Sequence, residues 1–193
     1  MENNTNKTEK RALSTFGKIL IYGTGGLAVG VSIICIPFVS PALRKFCLPY
    51  VPATSEQLHG VAKALAGRSG KLLDVGSGDG RIVFAAAENG FQADGVELNL
   101  WLVLYSKLAT VFKPQRKNIT FYRRDLWKFD LKRYDNVVIF GVEQMMLDFE
   151  RKVVNELSDG AVVVACRFPL PNLVPVETIG HGIDTVWKYA IKR

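Results

Sequence analysis

The 193-residue chain is long enough for one domain and an appendage, and a hydrophobic content of 48% excludes a disordered protein. Its formal charge of +7 suits an anionic partner, a membrane surface or an organelle-directed protein without choosing among them. Three scattered cysteines (Cys35, Cys47, Cys166) and two histidines (His59, His181) offer no paired spacing, so neither a metal site nor a disulfide framework is expected, and a reducing compartment fits.

Residues 1–18 are polar, with Lys7, Lys10, Arg11 and Lys18 set against Glu2 and Glu9. The first dozen are expected to be loose, and the acids argue against a cleaved transit peptide. No charged residue lies between Lys18 and Arg44. The run from Ile19 to Val39 would span about 30 Å as a helix, the thickness of a bilayer core, and is predicted to cross or anchor in a membrane. Gly23, Gly25, Gly26 and Gly30 weaken it and Pro37 ends it, and a buried helix of a soluble domain is the alternative. Gly26 and Gly30 also match the small-residue spacing of closely packed transmembrane helices. Basic residues at both ends leave its orientation open. Residues 40–54 form a Pro-punctuated linker, and residues 55–193 the domain proper.

That domain begins with a helix capped by Thr54 or Ser55 and running to about Ala66, with Leu58, Val61, Ala62 and Leu65 at helical spacing. It is expected to lie over the mouth of the Gly-rich turn that follows. From Lys71 short apolar strands alternate with helices. The strands are Leu72–Val75, Ala93–Val96, Ile119–Tyr122, Asn136–Phe140, Ala161–Cys166 and Thr185–Ile191. The helices are Arg81–Asn89, Leu100 to about Phe112, and Gln144–Leu157. Such alternation implies an α/β domain with a parallel sheet and crossover helices. Pro169, Pro171 and Pro175 punctuate the connection before the last strand. Only six strands emerge, which leaves a seventh missing or merged.

The most informative stretch is Leu72-Leu-Asp-Val-Gly-Ser-Gly-Asp-Gly-Arg81, a strand, a tight turn and a helix start. Glycine allows the sharp turn and a close ligand, and the helix aims its N–H groups at the same spot. The dinucleotide fingerprint requires a glycine where Arg81 stands. The pattern is instead D-x-G-x-G-x-G, which resembles motif I of the class I, seven-strand, Rossmann-like S-adenosylmethionine-dependent methyltransferases. Ligands of open parallel sheets sit beyond the strands' carboxyl ends. Three acids stand there: Asp74, Glu97 and Asp125. Any one of them often only caps the next helix; three in succession after such a turn point to a cofactor site. Asp74 is expected to orient the turn and meet the cofactor's ammonium, and Glu97, near Asn99, to accept ribose hydroxyls. Asp125 is expected to accept from the adenine amino group, with Leu126 and Trp127 against the ring. The turn itself, Gly76, Ser77, Gly78, Asp79 and Gly80, completes the set, with the N–H groups of Gly78 to Arg81 expected on the methionine carboxylate.

A closer resemblance rests on longer stretches. They are the linker from Pro41 to Thr54, the turn with Ile82 and Val83, Glu97-Leu-Asn-Leu-Trp101, Asn136-Val-Val-Ile-Phe-Gly-Val142, Gln144-Met-Met146, Cys166-Arg-Phe-Pro169 and Gly182-Ile-Asp-Thr-Val-Trp187. Over roughly residues 36–190 the chain resembles a small family of mitochondrial lysine methyltransferases acting on the c-subunit of ATP synthase or on the adenine nucleotide translocase. The segment from Phe140 to Met146 is more like the ATP synthase-directed enzyme. The resemblance implies S-adenosylmethionine as cofactor, an N-terminal membrane segment, an inner-membrane location with the domain facing the matrix, and trimethylation of one substrate lysine in support of ATP synthesis. A non-catalytic membrane adaptor that keeps the fold is the rival reading.

The reaction needs a neutral lysine, and the carboxyl end of the fourth strand should face the methyl group. Glu143 stands there as the candidate base, or as a helix-capping residue where the ATP synthase-directed enzyme is expected to carry proline. Arg167, after the fifth strand, is a candidate for positioning substrate backbone or a lipid headgroup, and reads equally as a solvated surface residue. The dense bases Lys113, Arg116, Lys117, Arg123, Arg124, Lys128, Lys132 and Arg133 read as a solvated face or as one for anionic lipid or RNA. No aromatic-interleaved motif supports nucleic acid.

Overall fold

The computed structural model describes residues 14–39 and 51–192. The chain divides into two compact units, one ending at Ile36 and the other beginning at Pro37. The polar residues before Ser14 and linker residues 40–50 lie outside the described residues.

Helix α1 runs Thr15–Val39, and its residues up to Ile36 belong to the first unit. Ser14 Oγ accepts from the Gly17 N–H at 3.1 Å, a cap that starts the helix four residues before the apolar run. The most apolar 18 residues within Thr15–Ile36 have a mean hydropathy of 2.1, and none of them is buried. Thr24 turns its hydroxyl back to the Leu20 carbonyl at 2.8 Å, so its polar group is satisfied within the helix. Gly26 and Gly30 face open space.

In the second unit β1 (Lys71–Val75), β2 (Gln92–Glu97), β3 (Ile119–Arg123), β4 (Asn136–Phe140), β5 (Val162–Cys166), β6 (Glu177–Ile179) and β7 (Val186–Ala190) form one sheet in the order β3-β2-β1-β4-β5-β7-β6. The first five strands in that order are parallel, and β7 runs antiparallel to both β5 and β6. The chain reverses its direction of travel at β1, which opens a crevice between β1 and β4 at their carboxyl ends. The helices are α2 (Ser55–Ala64), α3 (Arg81–Glu88), α4 (Leu100–Val111) and α5 (Glu143–Glu156). One apolar cluster, with Val61, Val83 and Val103, joins α2, α3 and α4 to one sheet face. A second, with Met145, Phe149 and Val153, seats α5 on the other. The central strands are buried on both faces, which explains why β4 and β5 read as unbroken Val-rich runs.

Two expectations need correction. The sheet is not truncated: the seventh strand, β6, lies inside the Pro-punctuated connection. It is three partly exposed residues at the sheet edge, too short to display an alternating pattern. Its Glu177 pairs with Lys188 of β7 at 3.8 Å. The second correction concerns α2, which packs beside α3 against β7 rather than over the turn's mouth. Thr54 and Gln57 close a reciprocal capping box. Gln57 Nε2 then donates to the Ile183 carbonyl and Thr54 Oγ1 to Asp184, both at 2.8 Å, pinning the helix start to the β6–β7 connection. A Cβ on Gly60 would stand 2.9 Å from Val186, so glycine is what lets α2 lie this close to β7.

Candidate active site

The turn after β1 is held from below by β2 and from the side by α4. The N–H groups of Gly76 and Ser77 donate to the Val96 carbonyl at 2.9 and 3.1 Å. Ser106, fully buried on α4, donates its hydroxyl to the Gly78 carbonyl at 3.2 Å. Gly76, Gly78 and Gly80 all take positive φ, at 73, 53 and 84°. At Gly80 a side chain would also strike the Phe121 ring at 2.6 Å, so conformation and space both demand glycine.

Glu97 brackets the turn. Its Oε1 accepts from the N–H groups of Leu98 and Asn99 at 2.7 and 2.8 Å, and its Oε2 from the Gly78 N–H at 3.1 Å. Asp74 lies beneath, 2% exposed. Burial, and then the negative charges of Glu97 and Asp79, push its carboxyl up to about 8. Asp79 is gripped by Arg81, whose Nη2 stands 2.6 Å from Oδ2; Arg81 also donates to the Ala53 carbonyl, tying the approach to α2 onto the turn. Ser77 Oγ is buried with no hydrogen-bond partner among the described residues.

The N–H groups expected on a ligand carboxylate are largely engaged. Gly78 donates to Glu97, Gly80 to the Ser77 carbonyl at 2.8 Å, and Arg81 to Asp79 at 3.3 Å. A turn this tight closes on itself, which spacing alone does not reveal. Asn99 is buried and caps α4, its Oδ1 accepting from the Trp101 N–H at 2.9 Å. Asp125 likewise caps a short turn, accepting from the Trp127 N–H at 3.0 Å. Leu126 leans on the α5-side core while Trp127 is 36% exposed. Glu143 is exposed in the first turn of α5, just past the carboxyl end of β4. Arg167 follows β5 with φ at 73°, the sole non-glycine in that region among the described residues.

The structure brings Asp74, the turn and Glu97 together, as the spacing implies. Sequence reasoning missed Ser106 and the clamp role of Arg81. A lone serine inside the apolar run Leu100–Val111 was the available signal for the first.

Residues 74–177 match the ANTKMT methyltransferase domain, and residues 10–44 the ATP synthase C-subunit lysine N-methyltransferase N-terminal domain. The ATP synthase C-subunit lysine N-methyltransferase of Xenopus laevis is 55% identical over 86% of this chain and 73% of its own. The chain belongs to this family of S-adenosylmethionine-dependent lysine methyltransferases. The adenine nucleotide translocase lysine N-methyltransferase of Mus musculus, another relative, is 38% identical over 89% of this chain and 77% of its own. Among solved structures, an RNA methyltransferase from Salinibacter ruber in complex with S-adenosyl-L-homocysteine superposes with a TM-score of 0.66 at 25% identity, covering 74% of this chain and 95% of that one. The chain shares with it the Rossmann-like methyltransferase fold, here with a mixed seven-stranded sheet.

Proposed function

We propose that this enzyme methylates a lysine of the ATP synthase c-subunit, through to the trimethyl form, at the mitochondrial inner membrane, in support of ATP synthesis. In this reading α1 is the anchor and the catalytic unit faces the matrix. The observation that carries the choice of substrate is the match of residues 10–44 to the N-terminal domain of the ATP synthase-directed enzymes, reinforced by 55% identity to one of them. The length of α1 and its run without a charged residue after Lys18 support the anchor.

The residues around the turn fit S-adenosylmethionine. A buried carboxyl flanked by two more carboxylates favours a cationic ligand, and Gly76 leaves open space for close approach. When bound, this cofactor supplies a methyl group on a sulfonium centre, activated for transfer to an amine. Glu97, held by three N–H groups, keeps acceptor capacity for hydroxyls. Asp74 and Asp79 sit on the acidic side of the turn, Asn99 fixes the start of α4 just past β2, and Asp125 and Leu126 lie beyond β3. A free lysine must lose a proton, which costs about 3 kcal/mol near pH 8. We assign Glu143, exposed at the β4 end, to receive it.

The test is to add full-length enzyme and methyl-labelled cofactor to mitochondrial membranes that lack it, with Glu97→Ala as control. Label on lysine in the small proteolipid band, lost with Glu97→Ala, is expected. Label in the larger carrier band would make the translocase the substrate in place of ATP synthase. Cofactor binding without label on any band would favour the adaptor.

A further inference from the structure

Helix α4 is built almost entirely of apolar residues, Leu-Trp-Leu-Val-Leu-Tyr-Ser-Lys-Leu-Ala-Thr-Val, yet only Val103 and Ser106 are buried. Leu104, Leu108 and Val111 follow at i, i+4 and i+7, with Tyr105 and Phe112 alongside, and all five are exposed. Leu108 is 64% and Phe112 80% exposed. An apolar stripe of this kind on a surface helix signals a partner.

The charge around it narrows the partner. Residues 101–133 hold nine bases and two acids, a net +7, while the remainder of the chain balances at 16 against 16. The whole formal charge of the protein is therefore carried by the stretch that runs from α4 through β3 to the approach to β4. Lys107 sits within the stripe, and Arg116 and Lys117 just beyond its end; all three are exposed. Lys113 reaches back to Glu88 at 3.1 Å. Arg133 stacks on Tyr122, Phe129 and Tyr134, so it serves the fold. Aliphatic and aromatic residues at the centre with long basic chains beside them is the pattern of a helix lying in the headgroup region of an acidic bilayer. A single-stranded nucleic acid would call for flat aromatic platforms, and this stripe is mostly aliphatic.

We infer that the exposed face of α4, with Lys107, Arg116 and Lys117, docks the catalytic unit on an anionic phospholipid surface. This rests on the membrane reading above but concerns a different surface from α1. Since α4 starts two residues after Glu97 and its Ser106 holds the Gly78 carbonyl, lipid contact along it would set the bilayer beside the cofactor turn.

The test uses the full chain in lipid nanodiscs, either zwitterionic phosphatidylcholine or the same with about 30% phosphatidylglycerol. Exposed lysines are acylated briefly and counted by mass spectrometry. Lys107 and Lys117 should label at least threefold more slowly in anionic discs than in neutral ones, recovering in 0.5 M salt, while Lys63 and Lys192 label alike in both. Leu108→Glu and Phe112→Glu, both at exposed positions, should abolish the protection without changing affinity for S-adenosylhomocysteine. Equal labelling in both discs overturns the inference. So does protection that persists in lipid-free detergent, which would put another part of this chain or a second copy on the face, or protection that arises only on adding single-stranded RNA. A chain that does not enter discs through α1 defeats the anchor reading instead; the same lysines are then read with discs simply mixed in.

Discussion

The Glu97 carboxylate accepts from the Gly78 N–H at 3.1 Å, so the end of β2 and the glycine turn after β1 form a single unit. Removing the side chain loses the acceptor for ligand hydroxyls and loosens the turn at once. Each hydrogen bond to a charged group contributes about 1.5–3 kcal/mol. Glu97→Ala should therefore weaken S-adenosylhomocysteine binding by about 100-fold or more, measured by calorimetry, while thermal stability falls by only a few degrees. Unchanged affinity would remove Glu97 from the site.

Asp74 gives a pH signature. Its folded value of about 8 lies above its ordinary 3.8. The folded state therefore holds a proton that the unfolded state releases in between. The stability this group supplies is fully present below pH 3.8 and is lost as pH rises to about 8, by up to about 1.4 kcal/mol per pH unit. Asp74→Asn mimics the protonated form and escapes that loss. The variant's melting temperature should gain on the parent's steadily from pH 5 to pH 8 and level off above, followed by calorimetry. A gap independent of pH would contradict the raised value.

Gly80 tests the turn's geometry. Alanine there must hold a φ of 84° and press on the Phe121 ring. The strained backbone and the overpacking each cost about 1–2 kcal/mol. Gly80→Ala should lower unfolding free energy by about 2–4 kcal/mol in urea titration, and Phe121→Leu in the same chain should restore part of it. Failure of that rescue would point to backbone strain alone.

The sequence shows some of these features and hides others for physical reasons. Strand-end acids and a Gly-rich turn are local, so Asp74, Glu97 and the turn can be read from spacing. β4 and β5 are legible because burial on both faces demands unbroken apolar runs. β6 is hidden because three residues at an edge carry no period, and because Pro175 beside it reads as a connection. The position of α2 depends on Gln57 reaching Ile183 and on Gly60 meeting Val186, both more than 120 residues away in sequence. The use of the turn's own N–H groups by Glu97, Ser77 and Asp79 follows from three-dimensional closure that no spacing rule encodes.

Ser106 links α4 to that turn. Its hydroxyl is the side-chain partner of the Gly78 carbonyl, and both lie out of water's reach from the α4 side. Ser106→Ala should cost about 1 kcal/mol of stability and several-fold in cofactor affinity, whereas Ser106→Thr, which keeps the hydroxyl but adds a methyl at a fully buried site, should preserve affinity at a larger stability cost. Equal loss of affinity in both variants would mean that packing, not the hydrogen bond, matters here.

Glu143 decides how the lysine loses its proton. It stands exposed in the first turn of α5, where the helix dipole favours a carboxylate. Gly141 before it lets Met146 approach to 2.7 Å of where a Cβ would be, so the backbone leading to Glu143 is closely fixed. General-base assistance is worth about 100-fold or more, and an exposed base that competes with water sits at the low end. Glu143→Gln should therefore lower kcat by about 10- to 100-fold and leave cofactor affinity unchanged. The loss should shrink as pH rises towards the lysine's own ionisation, because a growing fraction of substrate arrives already neutral. A kcat within twofold of the parent at pH 7 would assign the proton to water and leave Glu143 as a residue that only favours the start of α5.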